Sequence, residues 1–124
     1  MKGISTDKAP AAIGPYSQAI VTGSLVYTSG QIPLDPATGA VVGEDITAQA
    51  EQAIANLAAV LEAAGTDLGH VVKTTCFLRN LGDFAVFNGI YAAHFPSNPA
   101  RSCVEVSALP KGVLVEIEAV AEVL

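Results

Sequence analysis

The chain has 124 residues, of which 51% are hydrophobic and only 15% are charged, and its formal net charge is −6. This length fits one domain over residues 1–124, large enough to bury a core. The acidic balance and the scattering of only six Lys and Arg residues disfavour binding to nucleic acid. No apolar run approaches the roughly 18 residues that span a bilayer, and the N-terminus has no apolar signal region. We therefore expect a cytoplasmic protein with no membrane partner, and its shortage of charge favours a homo-oligomer.

Cysteine and histidine spacing gives no sign of a metal site. Cys76 and Cys103 are far apart in the sequence and belong to no CxxC or CxxH motif. His70 and His94 are each isolated, which is typical of surface or structural histidines. We expect a metal-free protein, and a single disulfide would be unusual in an intracellular chain.

Two short strand-like runs come first along the chain. Residues 16–21 and 25–29 flank a Gly-containing triplet, which predicts a β-hairpin. Gly30 then allows a left-handed backbone or the close approach of a ligand. Pro33 prevents the strand from continuing inside a sheet, so residues 34–44 are expected to form a loop.

Two helices separated by a strand follow. Apolar residues recur at helical spacing from residue 48 until Gly65, the expected stop, and Asp45 or Thr47 could cap the start. Residues 71–79 are rich in β-branched side chains and predict a strand. A second helix is expected from residue 82 to just before Pro96. Its apolar stripe consists of Phe84, Phe87, Tyr91 and Phe95.

The C-terminal part of the chain concentrates the polar side chains that could do chemistry. Two alternating runs, 101–108 and 113–123, are joined by a Pro- and Gly-containing cluster, which predicts a second hairpin with Glu105 opposite Glu116. In that register Arg101 and Glu116 lie on one face. Arg101 is about 13 Å along the strand from Glu105, the residue paired with Glu116.

The order of elements is ββ-α-β-α-ββ, and an additional N-terminal strand is left open. Such an order predicts an α+β fold in which a mixed β-sheet carries two helices on one face. Two helices cannot cover both faces of the sheet. The other face is therefore expected to need a partner.

The polar candidates also have purely structural interpretations. Arg101 could simply form an ion pair with Glu105, and Glu116 could belong to a solvated face. Cys103 fits a packed small residue better than a nucleophile, because no histidine base is placed near it. Asn88, a polar residue within the second helical stripe, could cap a loop or contact a ligand.

Five sequence blocks stand out when they are taken together. They are GPYSQA at 14–19, TSGQIP at 28–33, VKTT at 72–75, PARSCVEV at 99–106 and EIEA at 116–119. From about residue 7 to the C-terminus this combination resembles the RidA/YjgF family, the reactive-intermediate (enamine/imine) deaminases.

The resemblance implies a chorismate-mutase-like homotrimer with a ligand site at each subunit interface. It also implies hydrolysis of 2-imino acids, such as 2-iminobutanoate and 2-iminopropanoate, to 2-keto acids and ammonia without a cofactor. By the same resemblance Arg101 binds the substrate carboxylate and Glu116 serves the attacking water. The other positions implied to line the pocket are Tyr16, Ser29, Gly30, Asn88 and Cys103.

These residue types suit the implied reaction. The planar fork of an arginine can bind a carboxylate through two parallel hydrogen bonds. A glutamate can orient or deprotonate water and later return the proton, which typically contributes about 10²- to 10⁴-fold in rate. An imine is already reactive, so the reaction requires neither a covalent nucleophile nor a metal.

Two other functions remain open at this point. A non-catalytic binding or regulatory module would bind a keto acid in the same pocket and would need Arg101 but not Glu116. Ribonuclease or translation-inhibitor activity, which has been attached to relatives, is disfavoured because the chain lacks a basic surface for RNA.

Overall fold

The computed structural model describes residues 1–124 and shows six strands and two helices. The strands are β1 (Lys2–Ile4), β2 (Ala19–Thr22), β3 (Leu25–Thr28), β4 (Val71–Leu78), β5 (Ala100–Glu105) and β6 (Val115–Glu122), and the helices are α1 (Ile46–Ala63) and α2 (Phe84–His94). The strands form one sheet in the order β1-β2-β3-β6-β4-β5. Only β4 and β5 are parallel neighbours, so the predicted mixed sheet of an α+β fold is confirmed, with β1 as the additional N-terminal strand.

Local signals set the ends of the first hairpin and of α1, as predicted. Thr22 pairs with Leu25, and Gly23 in the turn between them has a φ of 57°, which glycine adopts at little cost. The Asp45 side chain accepts a hydrogen bond from a backbone N–H of the first turn of α1 at 2.9 Å. Gly65, with a φ of 86°, ends the helix. Neither helix is long and apolar enough to cross a membrane.

Both helices lie on the same face of the sheet, and burial alternates along the strands to match. In β6, Ile117 and Ala119 are buried under α1, whereas the alternating Glu116 and Glu118 remain partly exposed. Each large apolar side chain that is fully buried in this layer contributes about 1.5–3 kcal/mol. No element of the chain covers the other face of the sheet.

The predicted C-terminal hairpin is wrong, because β4 lies between β5 and β6. Glu105 aligns with Leu78 at the end of β4, and Glu116 aligns with Phe77 on the opposite edge of the same strand. The two glutamates are therefore not partners. The physical reason is that a strand flanked on both edges has all its backbone N–H and C=O groups paired, and the buried strand β4 gains most from that position.

Candidate active site

The predicted site residues fall into two groups on opposite faces of the sheet. Arg101 aligns with Thr74, which contacts α2, whereas Glu116 aligns with Phe77 on the uncovered face. The two positions are two strands and three residues apart, about 10 Å in each direction. The expectation that Arg101 and Glu116 share one face is therefore wrong. Within one chain the two side chains cannot contact the same small molecule.

Side chains of α2 hold Arg101. Its Nη1 donates to Asn88 Oδ1 at 2.7 Å, and its guanidinium carbon lies 5.5 Å and 4.8 Å from the ring centroids of Phe84 and Tyr91. The proposed ion pair with Glu105 is absent, since that carboxylate accepts a backbone hydrogen bond at 2.8 Å instead. Arg101 forms no salt bridge, so most of its five N–H donors remain free for a ligand.

A cavity of about 460 Å³ opens beside this guanidinium. It is lined by Asn88, Tyr91, Ala92, Phe95, Asn98, Pro99 and Arg101. A positively charged group that lacks an acidic partner and borders a cavity is suited to bind an anion. A ligand carboxylate can accept the hydrogen bonds that the guanidinium otherwise donates to water.

Glu116 lies in a second cavity, of about 470 Å³, together with three of the other predicted residues. These are Tyr16, Ser29 and Gly30. The Ser29 hydroxyl donates to the Ser17 carbonyl at 2.6 Å, which fixes the chain as it leaves β3. The structure thus brings four of the seven predicted residues to one cavity, and it places Arg101 and Asn88 at the other.

A bulge opposite β6 brings Gly30 against Glu116. Tyr27 aligns with Val120, but Gln31 exchanges two backbone hydrogen bonds with Ile117, at 2.8 and 3.0 Å. Three residues, 28–30, therefore lie opposite only two residues, 118 and 119, and this additional residue makes a β-bulge. The Thr28 hydroxyl accepts a hydrogen bond at 3.0 Å from a β6 backbone N–H in this region.

The carboxylate of Glu116 lies against Gly30, in surroundings that disfavour its ionised form. A Cβ atom on Gly30 would overlap with the carboxylate, so only glycine allows this approach. Burial raises the pKa of Glu116, and the neighbouring Glu118 raises it further. No hydrogen bond from the chain offsets these effects, so the group is suited to accept a proton.

Comparison with known proteins places this geometry in a family. Residues 6–123 match a family model described as Endoribonuclease L-PSP, which is the RidA/YjgF family. The chain belongs to the RidA/YjgF family. A Salmonella typhimurium protein named 2-iminobutanoate/2-iminopropanoate deaminase is 56% identical, over 97% of this chain and 96% of that one.

Two further RidA/YjgF relatives carry different names. A Lactococcus lactis protein with the name of a regulator, AldR, is 53% identical over 99% of this chain and 98% of its own length. The crystal structure of Escherichia coli TdcF with bound serine is 44% identical, covers 98% of both chains and has a TM-score of 0.92. The fold is therefore shared over nearly the whole chain.

Gln18 shapes the wall of the Glu116 cavity in this RidA/YjgF chain, and sequence reasoning missed its role. Its Nε2 donates to the carbonyls of Thr6 and Pro10 at 3.0 and 2.8 Å, and its Oε1 accepts from the Thr6 N–H at 2.7 Å. The side chain is buried, so these bonds hold the loop that lines the cavity. The available signal was a glutamine inside the GPYSQA block, next to a strand that needs apolar residues.

Cys103 packs against the hydrophobic core rather than lining either of these two cavities. Burial raises the pKa of its thiol, and Arg101 only partly opposes this effect. A protonated thiol is a poor nucleophile, which agrees with the structural interpretation of Cys103.

Each of the two histidines pairs with a single carboxylate. No group of three or more His, Cys, Asp or Glu side chains is arranged to hold a metal ion. His70 pairs with Asp67 at 2.7 Å and His94 pairs with Glu51 at 3.1 Å, and neither histidine lines the cavities of Arg101 or Glu116.

Proposed function

We propose that this chain hydrolyses 2-imino acids, including 2-iminobutanoate and 2-iminopropanoate, to 2-keto acids and ammonia. The observation that carries the proposal is a complementary pair of unsatisfied groups, an arginine without an acid and a half-buried glutamate without a donor, each bordering a cavity. The name of the 56% identical Salmonella relative supports the same reaction. Serine, bound in the E. coli TdcF structure, carries the α-carboxylate that such a site would recognise.

Two copies of the chain are needed to complete the site. Arg101 lies on β5, which is an edge strand, so its side chain is at the margin of the protomer. The uncovered sheet face exposes apolar groups, including Tyr27 at 47% and Val104 at 44%. These features support a chorismate-mutase-like homotrimer that buries this face and brings Arg101 of one protomer to Glu116 of the partner subunit.

In the proposed mechanism Arg101 binds the substrate carboxylate and orients the C=N bond. Glu116 accepts a proton from a water molecule as the water oxygen attacks C2 of the protonated imine, which gives a tetrahedral amino alcohol. Return of that proton to the nitrogen makes ammonia the leaving group. As the C2–N bond breaks, Glu116 takes the hydroxyl proton, the carbonyl forms, and the proton then passes to the released ammonia. Substrate and water thus become keto acid and ammonia, with orientation and proton transfer as the catalytic contributions.

We place the reaction in the cytoplasm, where the two unbridged thiols of this chain would persist.

An assay coupled to imine production tests the proposal. An amino-acid oxidase acting on alanine or 2-aminobutanoate supplies the imine, and semicarbazide traps whatever imine remains. We expect the protein to reduce semicarbazone formation in proportion to its concentration, because hydrolysis competes with trapping. Unchanged trapping with several imino acids would contradict the proposal. If the protein nevertheless bound pyruvate, the regulatory interpretation would replace it.

Gly30→Ala is expected to lower kcat by at least about tenfold, because the new Cβ displaces the Glu116 carboxylate from its position for proton transfer. Gly30 does not have a positive φ, so the backbone tolerates alanine. Gly89→Ala is the matched control, since a Cβ at that helical position meets nothing within 4 Å. Steady-state kinetics should show normal turnover for the control, and equal turnover in both variants would exclude the contact as functional.

A further inference from the structure

The guanidinium of Arg101 is positioned by aromatic rings, and this arrangement extends the candidate site. Phe84, Asn88 and Tyr91 follow one another at intervals of four and three residues, which puts them on one face of α2. Arg101 lies across that face and contacts all three side chains. We call Phe84 and Tyr91 the aromatic pair.

Two further side chains, those of Thr74 and Phe95, fix the ring of Tyr91. Its hydroxyl hydrogen-bonds the Thr74 hydroxyl at 2.7 Å, and both residues are buried. Phe95 stacks on the same ring, with centroids 4.2 Å apart and planes inclined by 21°. Thr74 is also the β4 residue that aligns with Arg101 on β5. Strand and helix therefore both set the position of the ring relative to the guanidinium.

We propose that Tyr91, anchored by Thr74, is a positioning residue that holds the Arg101 guanidinium ready for a ligand carboxylate, with Phe84 completing the contact. This inference rests on the proposed function, in which Arg101 binds the carboxylate of the imino acid. The hydroxyl of Thr74 gives a role to the VKTT block, which the mechanism otherwise leaves unused.

The choice of aromatic rings over an acid has a chemical consequence. An aspartate or glutamate could also hold the guanidinium, but it would occupy N–H donors and compete with the carboxylate of the ligand. A ring face attracts the cation and leaves those donors free. Asn88 uses one donor, and the other four remain for bidentate binding. Without these contacts the arginine side chain would lose conformational freedom when the ligand binds, and this loss of entropy would weaken binding.

The test compares aromatic replacements along α2 in the full-length protein. We expect Tyr91→Leu to raise the dissociation constant for pyruvate, and KM for the imine, by about 3- to 30-fold with kcat changed less than KM. Tyr91→Phe keeps the ring but removes its hydrogen bond to Thr74, so its dissociation constant should fall between those of wild type and Tyr91→Leu. Phe87→Leu is the control. Phe87 is buried beside Tyr91, at 5.8 Å between centroids, but forms no contact with the guanidinium.

A spectroscopic measurement separates this inference from the proposed function. In wild type the side-chain NMR signals of Arg101 should carry ring-current shifts, and Tyr91→Leu should reduce them whether or not the protein turns over imines. If wild type hydrolyses imines but Tyr91→Leu binds pyruvate as tightly as Phe87→Leu does, the positioning role is overturned. Loss of imine turnover and pyruvate binding in wild type itself would instead overturn the proposed function. Phe84→Leu, at a half-buried position, decides the matter if Tyr91→Leu does not fold.

Discussion

Arg101→Ala is expected to lower kcat/KM for 2-iminopropanoate by roughly 10²- to 10³-fold and to abolish measurable binding of pyruvate. The loss corresponds to about 3–4 kcal/mol, the size expected when one partner of a desolvated, bidentate ion pair is removed. Arg101→Lys should recover only part of the loss, because an ammonium group keeps the charge but lacks the planar fork. Steady-state kinetics and calorimetric titration with pyruvate measure both effects.

The other arginine of the chain provides the control for charge. Arg79 is exposed, and Arg79→Ala removes the same charge as Arg101→Ala. We expect Arg79→Ala to leave kcat/KM within about twofold of wild type, because surface charges contribute little. Thermal unfolding should show that Arg101→Ala remains folded, since the side chain makes a single hydrogen bond within the chain. Full activity of Arg101→Ala would exclude this residue as the carboxylate anchor.

Much of the fold could be predicted from the sequence, because its signals are local. The start of α1 is set by a side chain three residues from the N–H that it caps, and its end is set by the glycine that follows. The first hairpin depends on the turn at Gly23. Such signals act over a few residues of chain and are read without knowing the tertiary structure.

The neighbours of β5 and β6 could not be predicted in the same way. Alternation shows which residues of a strand share a face, and the alternation predicted for β6 is confirmed by its burial. It does not show which strand lies alongside, since that depends on backbone pairing between segments distant in sequence. The insertion of β4 separates Arg101 from Glu116 and changes the site from one hairpin face to two cavities.

Two contacts in the site could not be predicted from the sequence for a related reason. The contact between Gly30 and Glu116 depends on a bulge, which has no unambiguous sequence signal. The apolar stripe of the second helix predicts a buried Tyr91, which is confirmed. Its hydroxyl has a second role, because its partner Thr74 belongs to a strand that meets α2 only in the folded chain.

Glu116→Gln is expected to lower kcat by about 10²- to 10⁴-fold and to leave the dissociation constant for pyruvate within about twofold of wild type. The amide has the shape of the carboxylate but cannot take a proton from water. The two variants should therefore divide the site, with Arg101 needed for binding and Glu116 for turnover. Normal turnover of Glu116→Gln would leave a binding or regulatory module as the function.

The raised pKa of Glu116 predicts how both rate and stability depend on pH. Only the ionised carboxylate accepts a proton, and in the substrate complex the ligand carboxylate offsets the charge of Arg101, so burial still raises the pKa of Glu116 and kcat should fall on the acid side at a pH above 4.5, the ordinary pKa of the group. Folding favours the protonated form. This contribution to stability is full below the pKa of the unfolded chain and is lost as the pH rises through the folded pKa. In the Arg101→Ala background, where no guanidinium of a partner subunit opposes this effect, Glu116→Gln should be more stable at pH 7 than its parent by less than about 1 kcal/mol after solvent screening, and the difference should vanish below pH 4.5.

Mixing the two inactive variants tests whether the site lies between subunits. Arg101→Ala and Glu116→Gln are unfolded together in equal amounts and refolded, so that each oligomer contains both chains at random. If each site combines Arg101 of one protomer with Glu116 of the partner subunit, about one quarter of the interfaces regain both intact groups. Activity should then return to about a quarter of the wild-type value, while each variant refolded alone stays inactive. A site confined to one chain would recover nothing, because every chain in the mixture lacks one of the two residues.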